Sequence, residues 1–206
     1  MTTPQATSVL HVGIDGRAFT SPAAGIRRYA RGLTTALATL EDVRVTVIGG
    51  DPAAMPSGTA VQPEALHPPG NPGWVLVGLP RSAARAGVDV LHALAYTAPF
   101  HAAMPVVVTV HDVSYARHPE WYPHQRDWVR RAYYRLSARR ADAVVTHSQF
   151  SPSEIEAAYG LTASRVSVVP MGVEAAFGAE LRRYEALPPG VREPFALHVG
   201  DVHARR

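Results

Sequence analysis

The chain has 206 residues, a formal charge of +3 and a hydrophobic fraction of 47%, enough apolar material for a buried core and too much for global disorder. It has no cysteine, which excludes disulfides, thiol nucleophiles and cysteine-bound zinc, and it fits a reducing cytoplasm. All 20 basic residues are arginine, so Schiff-base lysines and a phosphate-loop lysine are excluded as well. No apolar run approaches the ~20 residues that span a bilayer, and the opening MTTPQATS lacks the basic and apolar regions of a signal peptide.

Short apolar strands alternate with helical spacing along the chain. Val9–Asp15 reads as a strand, and Gly25–Leu40 as a helix with Ile26, Tyr29, Leu33, Leu37 and Leu40 on one face. Val43–Ile48 is a strand. The Pro- and Gly-rich stretch Asp51–Gly73 reads as a long excursion. A helix is expected over Trp74–Ala86, then strands over Val88–His92 and Pro105–Val110, the latter with proline at its first position. His111–His124 is a loop dense in aromatics and histidine, Gln125–Arg140 a long amphipathic helix, and Ala141–Thr146 a strand. Ser151 and Glu154 have the spacing of a capping box, which predicts a helix from Pro152 to Tyr159 stopped by Gly160. Arg165–Val169 is a strand, Leu181–Pro194 is linker-like, and Phe195–Val199 is a last strand. Repeated βα units predict an α/β fold: a Rossmann-like parallel sheet with helices on both faces.

Open α/β sheets bind ligands at the carboxyl ends of their strands. The first such end carries DGRAFTSPAAGIRRY, with Gly25 where the helix begins. This is either a site where a phosphate approaches the backbone or an ordinary βα turn. It is not a GxGxxG dinucleotide turn, and with no lysine the chain also lacks the Tyr-x-x-x-Lys pair of Rossmann epimerases and dehydrogenases. VVVTVHD places His111 and Asp112 at the tip of a central strand, where His111 either serves a sugar hydroxyl or proton transfer or is satisfied by local backbone. Tyr115, Trp121 and Tyr122 follow as stacking surfaces for an acceptor, beside Asp112. The ten histidines form neither HxxxH nor HExxH, so no metal site is expected. Arg131, Arg135 and Arg139 make one stripe and Arg126 and Arg130 another, a solvated face or a contact for anionic lipid head groups. No nucleic-acid motif accompanies that charge.

With these residues in place, the chain resembles the GT-B retaining glycosyltransferases of family 4, on its acceptor-side, N-terminal half. The opening VGIDGRAFTSPAAGIRRYARGL is similar to the family's strand and Gly-x-x-x-Tyr helix start, with Arg27 where many relatives carry glycine. DVLHALAYTAPF, VVTVHDVSYARHPEWY, ADAVVTHSQFSPSEI, VSVVPMGVE and HVGDVHARR resemble five further family segments in the same order. Val169 stands where asparagine is common and Arg206 where lysine is usual.

The resemblance implies a division into residues 1–185, an acceptor-side Rossmann-like domain, 186–194, a linker, and 195–206, the first strand of a second, donor-binding domain. It implies transfer of a sugar from a nucleotide-diphosphate sugar to an acceptor hydroxyl, with retention and with neither metal nor cofactor. GDP-mannose is the favoured donor; a glycan, lipid or small molecule is the acceptor. His111 would contact the transferred sugar. Gly25, Arg27, Gly200, Arg205 and Arg206 would hold the donor phosphates. The lack of cysteine points to a cytoplasmic location, and the arginine stripes to a peripheral membrane contact through the Arg126–Arg139 helix. The family's acidic donor-gripping motif is not found in these 206 residues, so the chain alone is expected not to turn over. The alternative is a stand-alone, non-catalytic module that binds a glycan or a partner subunit.

Overall fold

The computed structural model describes residues 9–56, 59–62, 72–173, 189–192, 194 and 195. The chain divides into two compact units, Met1–Met171 and Gly172–Arg206. In the second, a turn at Pro189 and Gly190, with Gly190 at φ +88°, is followed by a half-exposed Phe195. The expected strand at Phe195–Val199 and the residues Gly200, Arg205 and Arg206 lie outside the described residues, Phe195 aside.

The first unit is built on a seven-stranded parallel sheet. Its strands are β1 (Leu10–Asp15), β2 (Val43–Ile48), β3 (Ala60–Gln62), β4 (Val90–Ala93), β5 (Val106–Thr109), β6 (Ala143–Thr146) and β7 (Val166–Val168). They lie in the order β3-β2-β1-β4-β5-β6-β7, so the chain reverses direction across the sheet between β1 and β4. The helices are α1 (Ala24–Ala38), α2 (Leu79–Ala86), the single turn α3 (Ser114–Arg117), α4 (Trp128–Arg140) and α5 (Ser151–Tyr159). This is the α/β, Rossmann-like architecture that the alternating pattern predicts.

Strand parity places helices on both faces. Val45 and Val47 of β2 pack with Val12, Ile14 and Ala30 against the α1 side, while Ile48, of opposite parity, joins Leu79, Ala83 and Leu91 on the α2 side. Beyond β4, Val108, Val144, Ile155 and Tyr159 form a third cluster with Ala138 of α4. Burial on both faces explains why these strands read as continuous apolar runs rather than as alternating ones.

Several boundaries differ from the sequence expectation, each for a local reason. The Asp51–Gly73 excursion contains β3, a three-residue edge strand paired to β2 and too short to show a period. The expected helix at Trp74–Ala86 begins with a wide π-type turn over Trp74–Gly78 before α2. The expected start at Gln125 moves to Trp128, because Asp127 caps α4 by accepting from the Arg130 amide at 2.9 Å. The expected Ser151–Glu154 capping box does not form. Ser151 is itself helical, its hydroxyl sits 2.8 Å from that of Ser148, and Glu154 pairs with Arg117 at 3.3 Å. Gly160 does stop α5, at φ +66°.

One glycine is required by packing near the ligand edge. A Cβ at Gly16, just past β1, would lie 1.8 Å from the Gly49 carbonyl oxygen beyond β2. Neither backbone segment can yield as a side chain would. Gly16→Ala therefore costs about 3 kcal/mol, the upper end of overpacking. Gly32→Ala, on the exposed face of α1 with open space around it, stabilises by roughly 0.5–1 kcal/mol. Urea unfolding of both variants checks the opposite signs.

Candidate active site

The parallel sheet brings its carboxyl ends to one edge, and its register lines up the polar residues there. In the β5–β6 ladder Thr109 is opposite Val145, so two residues further on His111 comes opposite His147. In the β4–β5 ladder Ala93 is opposite Val108, which likewise carries Tyr96 beside His111. The rings follow this geometry. His111 lies edge-on to Tyr96 at 5.5 Å and tilted against His147 at 5.0 Å, and Tyr29 of α1 meets both histidines, at 5.2 and 4.7 Å.

Both nitrogens of His111 have partners. Nε2 is 2.9 Å from the Leu94 carbonyl oxygen, and Nδ1 is 3.1 Å from Nε2 of His147. His147 in turn places Nδ1 3.1 Å from the Val169 carbonyl oxygen. Beneath them, Thr109 Oγ1 lies 3.2 Å from the Tyr29 hydroxyl and 2.9 Å from Nε2 of His92. Burial, together with the neighbouring His111 and His147, lowers the His92 pKa from about 6.5 to about 4, so His92 is neutral near pH 7. Burial and His147 also lower the pKa of His111, against the Leu94 hydrogen bond and the Asp112 charge, which raise it.

Tyr96 holds a left-handed backbone at φ +56°, which costs a non-glycine residue about 1–2 kcal/mol. Its amide donates to the Thr109 carbonyl at 3.0 Å, and its ring stacks on Tyr134 of α4 at 5.1 Å. The strained turn also presents Thr97 to Arg17. The Arg17 guanidinium clamps the Asp15 carboxylate at 2.5–3.1 Å and reaches Thr97 Oγ1 and its carbonyl oxygen, each at 3.2 Å. The Asp15 side chain is only 3% exposed. Burial alone would lower the Arg17 pKa, but the Asp15 carboxylate outweighs it and raises it. This pair sits where β1 and β4 diverge, and a mainly apolar cleft of about 840 Å³ opens there, lined in part by Arg17, Tyr96, Phe100, Tyr133 and Tyr134.

The residues expected from sequence fall into two groups. Gly25 and His111 belong to this edge: Gly25 is exposed in the first turn of α1, four residues before Tyr29 and so on the same face. No side chain caps α1, and a Cβ at Gly25 would meet nothing within 4 Å. Arg27 instead donates to the carbonyl oxygens of Ser21 and Pro22, at 2.5 and 2.9 Å, and shapes the loop before α1. The acceptor-side candidates hold their own loop together. Asp112 accepts from the Ser114 amide at 2.9 Å and from its hydroxyl. The Tyr122 hydroxyl bonds that same hydroxyl, and Tyr115 donates to the His124 carbonyl at 2.6 Å. Trp121 stacks on His118 at 4.0 Å. Sequence reasoning missed His147, Tyr29, Tyr96 and the Asp15–Arg17 clamp. His147 was discoverable, since it follows β6 as His111 follows β5. Among the described residues, no group of three or more His, Asp or Glu side chains is placed to hold a metal.

An uncapped helix start and a histidine row thus lie at the carboxyl edge of a Rossmann-like sheet, where open α/β sheets generally bind ligands. The profile of Glycosyltransferase Family 4 matches residues 23–177, about three quarters of the chain, from the start of α1 to beyond β7. The chain belongs to that family, and its domain is of the glycosyltransferase type, which has a sugar donor and an acceptor as its partners. No curated protein matches it.

The neutral His92 makes stability depend on pH. The unfolded chain protonates this histidine near pH 6.5 and the folded chain only near pH 4, so between these values the unfolded state binds more protons. Stability attributable to His92 is therefore complete above about pH 6.5 and falls as the pH drops toward 4, by up to roughly 3 kcal/mol. Thermal melts of wild type and His92→Gln between pH 7 and 4 check this: the wild-type melting temperature falls more steeply than that of the variant.

Proposed function

We propose that this chain is the acceptor-side half of a retaining glycosyltransferase that moves a sugar from a nucleotide-diphosphate sugar to an acceptor hydroxyl. The observation that carries the reading is the meeting of the α1 N-terminus and the His111 row at one sheet edge, in a chain of this family. Backbone amides at an uncapped helix start, together with the positive end of the helix dipole, suit the donor diphosphate at Gly25. Gly200, Arg205 and Arg206 would complete the phosphate contacts. Arg27 would act on phosphate through the loop it braces, or directly after leaving the Ser21 and Pro22 carbonyls.

His111 would contact the transferred sugar. Since both of its nitrogens already have partners, a sugar hydroxyl must displace either Leu94 or His147. The acceptor would enter beside the loop of Asp112, Tyr115, Trp121 and Tyr122, and the neighbouring cleft at Tyr96 and Tyr134 has room for an apolar acceptor group. Reaction with retention and without a metal or cofactor, GDP-mannose as the favoured donor, and a cytoplasmic location complete the proposal.

Titration calorimetry with GDP-mannose, UDP-glucose and dTDP-glucose tests the donor assignment. Saturable binding through the diphosphate and sugar, weakened at least about tenfold by His111→Ala, is the expected result (about 1.4 kcal/mol). Absence of binding by all three at millimolar concentration would remove the donor from this edge.

A peripheral membrane contact through α4 is the second part of the proposal. Trp128 (69% exposed), Val129 and Leu136 stand beside Arg126, Arg135 and Arg139, the mixture that an anionic interface attracts. Arg130, Arg131 and Arg139 are partly committed, to Asp127, to the Tyr115 ring and to the Tyr159 carbonyl oxygen. No helix among the described residues is long and apolar enough to cross a membrane. Sedimentation with anionic vesicles should exceed that with neutral vesicles and fall in an Arg135→Glu, Arg139→Glu variant. Equal recovery with both kinds of vesicle would end the membrane reading.

A further inference from the structure

The contact between His111 and His147 does not fit two neutral rings whose outer nitrogens both donate to carbonyl oxygens. A carbonyl oxygen only accepts hydrogen bonds. Nε2 of His111 therefore carries a proton toward Leu94, and Nδ1 of His147 carries one toward Val169. A neutral imidazole has a single N–H. If both rings were neutral, Nδ1 of His111 and Nε2 of His147 would face each other as two lone pairs at 3.1 Å. If both were cations, two N–H groups and two like charges would face each other instead. One additional proton, lying between the two nitrogens, satisfies every partner.

We infer that His147 is a positioning residue that shares one proton with His111, so that the two rings form a bridged pair carrying a single positive charge. The pair has neighbours on several sides and is exposed where His147 meets Val169. Tyr29 of α1 lies against both rings, Tyr96 of the turn after β4 lies against His111, and Val169 and Leu94 anchor the outer nitrogens. The titratable groups that face it are Tyr29 from α1, His92 from β4, Tyr96 from the turn that follows, and Asp112 from the chain beyond β5. Burial disfavours charge on His111, the Asp112 charge and the Leu94 hydrogen bond work against that, and a second charge on the pair is disfavoured further.

The consequence for the site is specific. His147 fixes the ring plane of His111 and makes its Nδ1 part of a cationic group at the carboxyl edge of β5 and β6. This rests on the reading of that edge as the donor site only for its biological use, since the bridged proton is argued from the partners of the two rings. Such a pair takes up protons in two macroscopic steps that belong to both rings. The step that adds the shared proton lies higher, and the step that adds a second charge lies lower.

Nitrogen-detected NMR of the 206-residue chain, uniformly labelled with ¹⁵N, tests this across pH 4–9. The expected wild-type result is a protonated Nε2 on His111 and a protonated Nδ1 on His147 at pH 6–7. The inner nitrogens should titrate in two steps more than about one pH unit apart. His147→Phe keeps a ring against Tyr29 but removes the bridge, and it should leave a single His111 step in place of the two coupled ones. Circular dichroism verifies that this variant is folded, and the wild-type spectra decide the matter even if it is not. Independent titration of the two rings at nearly the same pH, or a His111 curve unchanged in His147→Phe, would overturn the inference. GDP-mannose added to the same sample separates it from the donor reading. Two-step titration with no nucleotide binding sustains the bridged pair and removes the donor; independent titration with nucleotide binding does the reverse.

Discussion

The carboxyl edge of the sheet depends on one buried ion pair. Asp15 ends β1 inside the protein, and a carboxylate buried there without a partner would cost about 3–5 kcal/mol. Arg17 answers it two residues later and then reaches across to Thr97. The clamp thus ties the end of β1 to the turn after β4, at the point where the chain changes direction across the sheet. Thr97 is presented to it by the left-handed Tyr96, and Tyr96 supports the His111 ring. Charge burial at one strand end is in this way coupled to ring placement at another.

The second constraint is register. Parallel strands leave no freedom over which residues follow one another across the edge once the apolar faces are buried. Tyr96, His111 and His147 stand in a row because β4, β5 and β6 are paired as they are. The row therefore needs no special loop conformation other than the strained one at Tyr96. Its chemistry, a neutral His92 below and a shared charge above, follows from burial and from the two carbonyls that fix the outer nitrogens.

Much of this architecture was legible in the residues. Six strands and four of the helices were recognisable because apolar runs such as VVVT and AVVT alternate with helical spacing. Gly160 declared the end of α5. The short strand β3 was not legible, since three residues within a Pro- and Gly-rich stretch carry no period. The capping box failed because Ser148 offers its own hydroxyl to Ser151, a competition that the motif does not reveal. At the site, His111 stood out as a polar residue at a strand tip. Asp15 and Arg17 did not, because an ion pair between residues two apart has no sequence signature, and Arg27 looked available although it spends its donors on its own loop.

The central claim is that the carboxyl edge around α1, β5 and β6 binds the donor. Two-dimensional amide NMR of the labelled chain during addition of GDP-mannose tests it most directly. The account predicts saturable shifts of the amides of Ala24, Gly25 and Ile26, together with shifts at His111 and His147. Shifts confined to the opposite edge, around His11 and Gly87, or none at all, would contradict it.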